Sequence, residues 1–219
     1  MCKRKILVGI NSKLYQNFRE YFDKTFTTVI SHKKLKLFKF FKTDSLYLFS
    51  YPKKKSQAKL YYENLKKLNI KMIVYLSSAS CNNPKAAFYN YGSRKLEDEM
   101  NLRKIFKEKL IIIRSGTVVD HNMENSFCGC FTTKIKDLIN LFELLESDKV
   151  YDKPITIGQR SPLHPDKYFI NFIIRNYSFL LNHFFYPPIL RPIDFLFKIL
   201  GVKAYGYSIL RINKKDQIL

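Results

Sequence analysis

Tryptophan is absent from this 219-residue chain, glycine occurs only seven times, and acidic residues number 18 against 39 lysines and arginines. Few glycines exclude collagen-like and glycine-linker architectures. The four cysteines (Cys2, Cys81, Cys128 and Cys130) have no framework spacing, which argues against a disulfide scaffold and for reduced thiols in a cytosolic protein. No charged n-region leads into a long apolar run with a small-residue cleavage site, because Lys3, Arg4 and Lys5 pass straight into a short strand-like segment. The expectation is a cytoplasmic protein rather than a secreted one. Zinc-finger, RNP and helix-turn-helix patterns are missing too, and the basic residues are spread along the chain, which weighs against a basic nucleic-acid-binding protein.

What is present is apolar and aromatic: 46% hydrophobic residues, with 19 phenylalanines and 15 tyrosines. That is ample material for a core and excludes disorder. The formal net charge of +21 has several open readings. Nucleic acid, an anionic membrane and a phosphate-bearing small molecule all attract such a surface. A/T-biased coding, which enriches Lys, Asn, Ile, Phe and Tyr together, produces the same excess with no partner at all.

The first half alternates strand-like and helical runs, the signature of parallel βαβ units. Strands are expected at Lys5–Gly9 (KILVG), Thr27–Ser31, Ser45–Ser50, Lys71–Leu76 and Leu110–Ile113. Helices are expected at about Leu14–Asp23, at Ser56–Leu68, and from Tyr91 to about Lys107. Beyond Asp120 the alternation stops: Thr133–Leu145 and Asp166–Asn182 read as helical, Pro154–Ile157 as a strand. The fold class is therefore α/β, a Rossmann-like doubly wound parallel sheet over residues 1–120, with a small, abbreviated helical lobe over 121–219.

Tyr91-Gly-Ser-Arg-Lys95 sets a phenol and an ammonium one helical turn apart. A nearby cation favours the phenolate and suits the tyrosine to proton transfer with a sugar hydroxyl. The spacing alone is weak, since Tyr51–Lys55 and Tyr62–Lys66 repeat it. Context separates Tyr91: it opens a helix downstream of Ser78, at the carboxyl end of a buried strand, where open α/β sheets bind ligands.

IKMIVYLSSAS (Ile70–Ser80), YGSRKLEDE (Tyr91–Glu99) and LIIIRSGTVVD (Leu110–Asp120) together resemble the middle of the NAD-dependent epimerase/dehydratase family, a branch of the short-chain dehydrogenase/reductase superfamily. AKLYYENLKKLNIK (Ala58–Lys71) is similar to the family's helix before the serine strand, and Pro162-Leu-His-Pro-Asp166 weakly resembles a segment near its substrate lobe. The resemblance implies that Tyr91 is the catalytic acid/base, that Lys95 supports it and binds the nicotinamide ribose, and that Ser78 orients the substrate, with Ser77 and Ser80 as rivals. It implies NAD(P) held by Gly9, Asn11, Ser12, Lys13, Leu14, His32, Lys33, Lys95 and Ser115. It also implies a nucleotide-linked sugar substrate in surface-polysaccharide synthesis, with a homodimer as the habitual assembly; a lipid-linked sugar is the expected substrate if the apolar C-terminal segments meet a membrane.

The chain departs from the family in its first βα turn, where Ser12 and Tyr15 replace the second and third glycines of the phosphate loop. After the second strand, Ser31-His32-Lys33-Lys34 stands where an acidic residue would favour NAD, so NADP is modestly preferred. The segments between the second and fourth strands are short for the family, and a degenerate, non-catalytic descendant that meets a membrane or partner protein is the alternative. Tyr168–Leu181 and Ile189–Leu200, apolar and flanked by basic residues, are each too short to span a bilayer and fit either its interface or the lobe's own packing. Cys128-Gly-Cys130 with His121 lacks a fourth ligand, so no metal is expected.

Overall fold

The computed structural model describes residues 4–49, 55–83, 87, 90–121, 123, 130–145 and 149–161, with single positions at 168, 172, 176, 195 and 199. Cys2, Cys128 and the segment Pro162–Asp166 lie outside the described residues, as does nearly all of the chain from 162 to 219.

Six strands form a Rossmann-like parallel sheet flanked by helices, in the order β2-β1-β3-β4-β5-β8. They are β1 (Lys5–Val8), β2 (Thr28–Ile30), β3 (Ser45–Leu48), β4 (Met72–Ser78), β5 (Leu110–Ser115) and β8 (Ile155–Ile157). β1 runs parallel to both β2 (Ile6 opposite Thr28) and β3 (Lys5 opposite Ser45), and β3 runs parallel to β4 (Ser45 opposite Met72). The strand order therefore reverses between β1 and β3, the switch point where such sheets bind ligands. The six-stranded dinucleotide-binding order carries a further strand outside the second. Among the described residues the sheet stops at β2, and residues 31–44 return directly to β3. The short connection read from the sequence is thus a missing strand and its crossover helix.

By contact density the chain divides into two compact units that interleave along the sequence. The first comprises Met1–Ser77, Glu97–Ile113 and Ile139–Ile155; the second comprises Ser78–Leu96, Arg114–Leu138 and Thr156–Leu219.

In the first unit, both faces of the sheet are apolar, which explains the unbroken burial of β3 and β4. Ile6, Val8, Leu46, Leu48, Ile73 and Tyr75 pack on one face with Tyr61 and Leu65 of α3 (Lys55–Lys66) and Leu102 and Phe106 of α4 (Asn90–Phe106). The other face is aromatic. Tyr47 meets Phe26 at 4.8 Å and Phe142 of α5 (Ile135–Leu144) at 5.2 Å, edge to face, and Phe49 meets Phe22 at 5.0 Å. Burial pushes the Tyr47 and Tyr61 phenols far above their ordinary range, so both are neutral packing groups.

The second unit carries a three-stranded sheet that the sequence pattern does not announce. Its order is β6-β7-β9, from β6 (Thr117–Val119), β7 (Phe131–Lys134) and β9 (Gln159–Arg160). Gly116 and Gly158 permit it: a Cβ on either would lie 2.4 or 2.3 Å from a β7 carbonyl oxygen. The buried Thr133 hydroxyl accepts from the Gly116 amide at 2.9 Å and donates to the Ile157 carbonyl at 2.7 Å.

Candidate functional site

In the second unit the site begins at the carboxyl end of β4. Ser78 caps a 3-10 turn at Ala79–Asn82, and its hydroxyl lies 2.9 Å from that of Ser80. Both serines are buried. Ser77 belongs to the first unit and faces elsewhere, as successive strand residues must. Its hydroxyl donates to Glu99 at 2.5 Å. The three rival serines therefore separate into a Ser78–Ser80 hydroxyl pair and a Ser77 held by a carboxylate.

Helix α4 opens at Asn90, so Tyr91 and Lys95 stand on its first two turns. Tyr91 is 38% exposed, whereas Lys95 is only 4% exposed. Among the described residues Lys95 is the one basic residue that is buried; the other lysines and arginines whose exposure is described are half-buried or exposed. A buried ammonium is costly unless its surroundings compensate its charge, so composition alone does not account for its position. Farther along α4, the buried Asp98 accepts from the Tyr62 and Tyr75 hydroxyls, the latter at 3.1 Å.

Ser115, also in the second unit, is buried at the end of β5. Beside it Arg114 donates to Asn82 at 2.6 Å, and Asn82 donates to the buried Thr156 hydroxyl at 2.8 Å. Sequence reasoning missed this chain. Arg114 was visible in the quoted motif, but nothing in the sequence linked it to Asn82 or Thr156.

The remaining candidate residues fall in the first unit, and five of them form one turn. Gly9 ends β1 at φ +156°, where a Cβ would lie 2.9 Å from the Phe49 Cβ, so only glycine fits. The Gly9 and Ile10 amides both reach the Ile30 carbonyl, at 2.9 and 3.3 Å, which ties the turn to the end of β2 just before His32 and Lys33. The Ser12 amide donates to the Gly9 carbonyl at 2.8 Å, and the Ser12 hydroxyl caps α1 (Lys13–Asn17) by accepting from the Tyr15 amide at 3.1 Å. Asn11 and Lys13 are exposed and Leu14 is half-buried. Burial, helped by the neighbouring Lys33 charge, pulls the His32 pKa below its ordinary value, so its ring is neutral at neutral pH.

One expected helix over Leu14–Asp23 is two. α1 stops after five residues, Phe18 leaves helical geometry at φ −126° and ψ 33°, and α2 runs Arg19–Thr25. The cause is Tyr15, at the position where a dinucleotide-binding turn carries its third glycine for close packing. Its ring is buried and stacks on Phe22 with centroids 6.3 Å apart, and its hydroxyl donates to Asp23 at 2.7 Å. Burial and that hydrogen bond push the Tyr15 phenol up, while the same bond, opposed by burial and assisted by Arg19, holds the Asp23 carboxyl low. No described helix is long and apolar enough to cross a membrane.

No family model and no curated protein matches the chain by sequence. Solved structures match it by fold. Capsular polysaccharide assembling protein CapF from Staphylococcus aureus aligns over 95% of this chain at a TM-score of 0.50 and 12% identity, and this chain spans 66% of that one. The protein gox2253 aligns at a TM-score of 0.53 and 11% identity, over 95% of this chain and 87% of that one. A conserved protein of unknown function from Silicibacter pomeroyi DSS aligns at 0.50 and 9%, over 81% and 78%. At these identities the likeness is one of architecture, and what the chain shares with these proteins is the Rossmann-like fold.

Proposed function

We propose that this chain is a nicotinamide-dependent enzyme of the epimerase/dehydratase type, acting on a nucleotide-linked or lipid-linked sugar. The observation that carries the reading is the burial of Lys95, one turn after an accessible Tyr91, in a chain whose other described basic side chains stay in contact with solvent. A coding bias that enriches lysine places it on the surface; it does not bury one at the start of α4. The likeness in fold to the capsular polysaccharide assembling protein CapF supports a setting in polysaccharide assembly.

The residues fit a nicotinamide dinucleotide. A strand ends in a glycine that no other residue can replace, a tight turn enters a helix, and His32 and Lys33 follow the neighbouring strand. Gly9, Asn11, Ser12, Lys13 and Leu14 would line the pyrophosphate, with Lys13, His32 and Lys33 favouring NADP. Lys95 and Ser115 would hold the nicotinamide end. When bound, the nicotinamide supplies the acceptor or donor of a hydride at a sugar carbon. Tyr91 takes the hydroxyl proton as that carbon is oxidised and returns it on reduction. Lys95 favours negative charge on the phenolic oxygen, and the Ser78 hydroxyl holds the reacting oxygen. We place the division between dinucleotide and substrate parts near Asp120.

A second reading, a non-catalytic scaffold of the same ancestry, is favoured by the five-residue α1 and by the strand missing beyond β2. Incubation with UDP- and dTDP-hexoses and either nicotinamide dinucleotide, followed by mass spectrometry and NMR, separates the two. A keto, deoxy or epimeric product that requires Tyr91 supports the enzyme; nicotinamide binding with no product from any sugar favours the scaffold.

A further inference from the structure

The segment that replaces the missing strand is itself a built feature. Residues 32–43 present Lys33, Lys34, Lys36, Lys39 and Lys42, all exposed, with no acidic side chain among them. The first carboxylate, Asp44, is buried and bound by Arg4 through hydrogen bonds of 2.9 and 2.5 Å. Burial pushes the Asp44 carboxyl up, but the Arg4 hydrogen bond, the Phe41 amide and the Arg4 charge outweigh it and hold the group ionised well into acid.

The segment is pinned from inside. Leu35 is 1% exposed, Phe38 and Phe40 pack on the core and on each other at 4.9 Å, and the Arg4 guanidinium sits 5.6 and 4.4 Å from the Phe38 and Phe41 rings. Arg4 also donates to the Lys39 carbonyl at 3.1 Å, and the Leu37 and Phe38 amides donate to the Lys34 carbonyl at 3.1 and 3.0 Å. Phe38 and Phe40 are half-buried and Phe41, against Arg4, is 36% exposed, whereas Leu37 projects 79% exposed beside Lys36.

We propose that residues 34–43 dock on an anionic lipid surface, Lys34, Lys36, Lys39 and Lys42 meeting the headgroups and Leu37 entering the interface. Acidic headgroups supply the charge that the segment lacks, and an exposed leucine with exposed lysines before and after it in the sequence matches the boundary between headgroup and acyl chain. Single-stranded nucleic acid fits less well, because stacking needs open aromatic faces. Here Phe38 and Phe40 are half-buried and pack edge to face, and Phe41 carries Arg4 at 4.4 Å and Lys39 at 5.6 Å. The proposal is independent of the catalytic reading, since none of the residues tested below is a candidate for the cofactor or for catalysis.

The test is flotation of the purified full chain with vesicles of phosphatidylcholine alone, or with about one third phosphatidylserine. The chain is expected to float with the acidic vesicles only. Lys36→Glu/Lys42→Glu should weaken that binding by at least about tenfold, since each lysine near an anionic surface is worth about fivefold. Leu37→Asn should weaken it less, and both variants should keep the circular dichroism and nicotinamide affinity of the parent. No binding to acidic vesicles, binding that both variants retain in full, or variant-sensitive binding to a single-stranded oligonucleotide without vesicle binding would each overturn the proposal.

Discussion

Two strand-to-helix transitions in this chain solve the same geometric problem with different materials. At the end of β1, Gly9 turns the chain against Phe49, Ser12 closes a short cap, and α1 ends after five residues because Tyr15 is held by Phe22 and Asp23. At the end of β4, serine hydroxyls and a 3-10 turn precede α4, a 17-residue helix that carries buried Lys95, Asp98 and Glu99. The first transition is held mainly by aromatic packing, the second by buried polar groups with named partners. Aromatic packing tolerates substitution so long as volume is conserved. A satisfied polar network fixes orientation and fails when one member is removed. The difference teaches where this chain keeps chemical constraint: in α4 and the end of β4, not in the turn after β1.

Substitutions sharpen that contrast, starting with the largest expected effect. Tyr91→Phe should lower turnover by about 10²–10⁴, the usual contribution of a general acid/base, while nicotinamide affinity stays near that of the parent. Equal turnover in the two proteins would remove α4 from the chemistry. Asp98→Ala strips a shared acceptor from the Tyr62 and Tyr75 hydroxyls and should cost about 2–4 kcal/mol in urea unfolding. A loss below that of an ordinary surface change would show that the network under α4 bears no weight.

At the other transition the effects are smaller. Ser12→Ala loses the cap of α1 and should cost about 1 kcal/mol in urea unfolding, with no change in the fold of α2. The smallest is a pH effect at Asp44. Its folded-state pKa lies below the unfolded value, so its contribution is complete above the ordinary carboxylate range and disappears as pH falls through the folded value. The urea midpoint of Asp44→Asn should therefore approach that of the parent as pH drops from 6 toward 3. A gap that stays constant would mean that the Asp44 carboxylate contributes nothing through its charge.

Much of the sheet is legible in the sequence because its strands are short apolar runs bounded by turn residues. KILVG became β1, LIII lies within β5, and SQAKLYYENLKKL overlaps α3. The break at Phe18 was not legible, because its cause is a tertiary one: the Tyr15 ring and hydroxyl are bound by Phe22 and Asp23. Nor was the sheet of β6, β7 and β9, whose strands of two to four residues rest on two glycines and one buried threonine hydroxyl rather than on any periodicity. In the candidate site, Tyr91, Lys95 and Ser78 were found by resemblance; the burial of Lys95 and the commitment of Ser77 to Glu99 needed coordinates.

The central claim is that α4 keeps a working nicotinamide site although the phosphate turn has changed. Titration of the parent and of Lys95→Ala with NADPH and NADH, followed by nicotinamide fluorescence, tests it directly. The account predicts micromolar binding by the parent, NADPH ahead of NADH, and at least a tenfold loss on substitution, since a one-unit change in log affinity corresponds to about 1.4 kcal/mol, less than a charge-assisted hydrogen bond is worth. Binding of neither dinucleotide, or equal binding by both proteins, would contradict it.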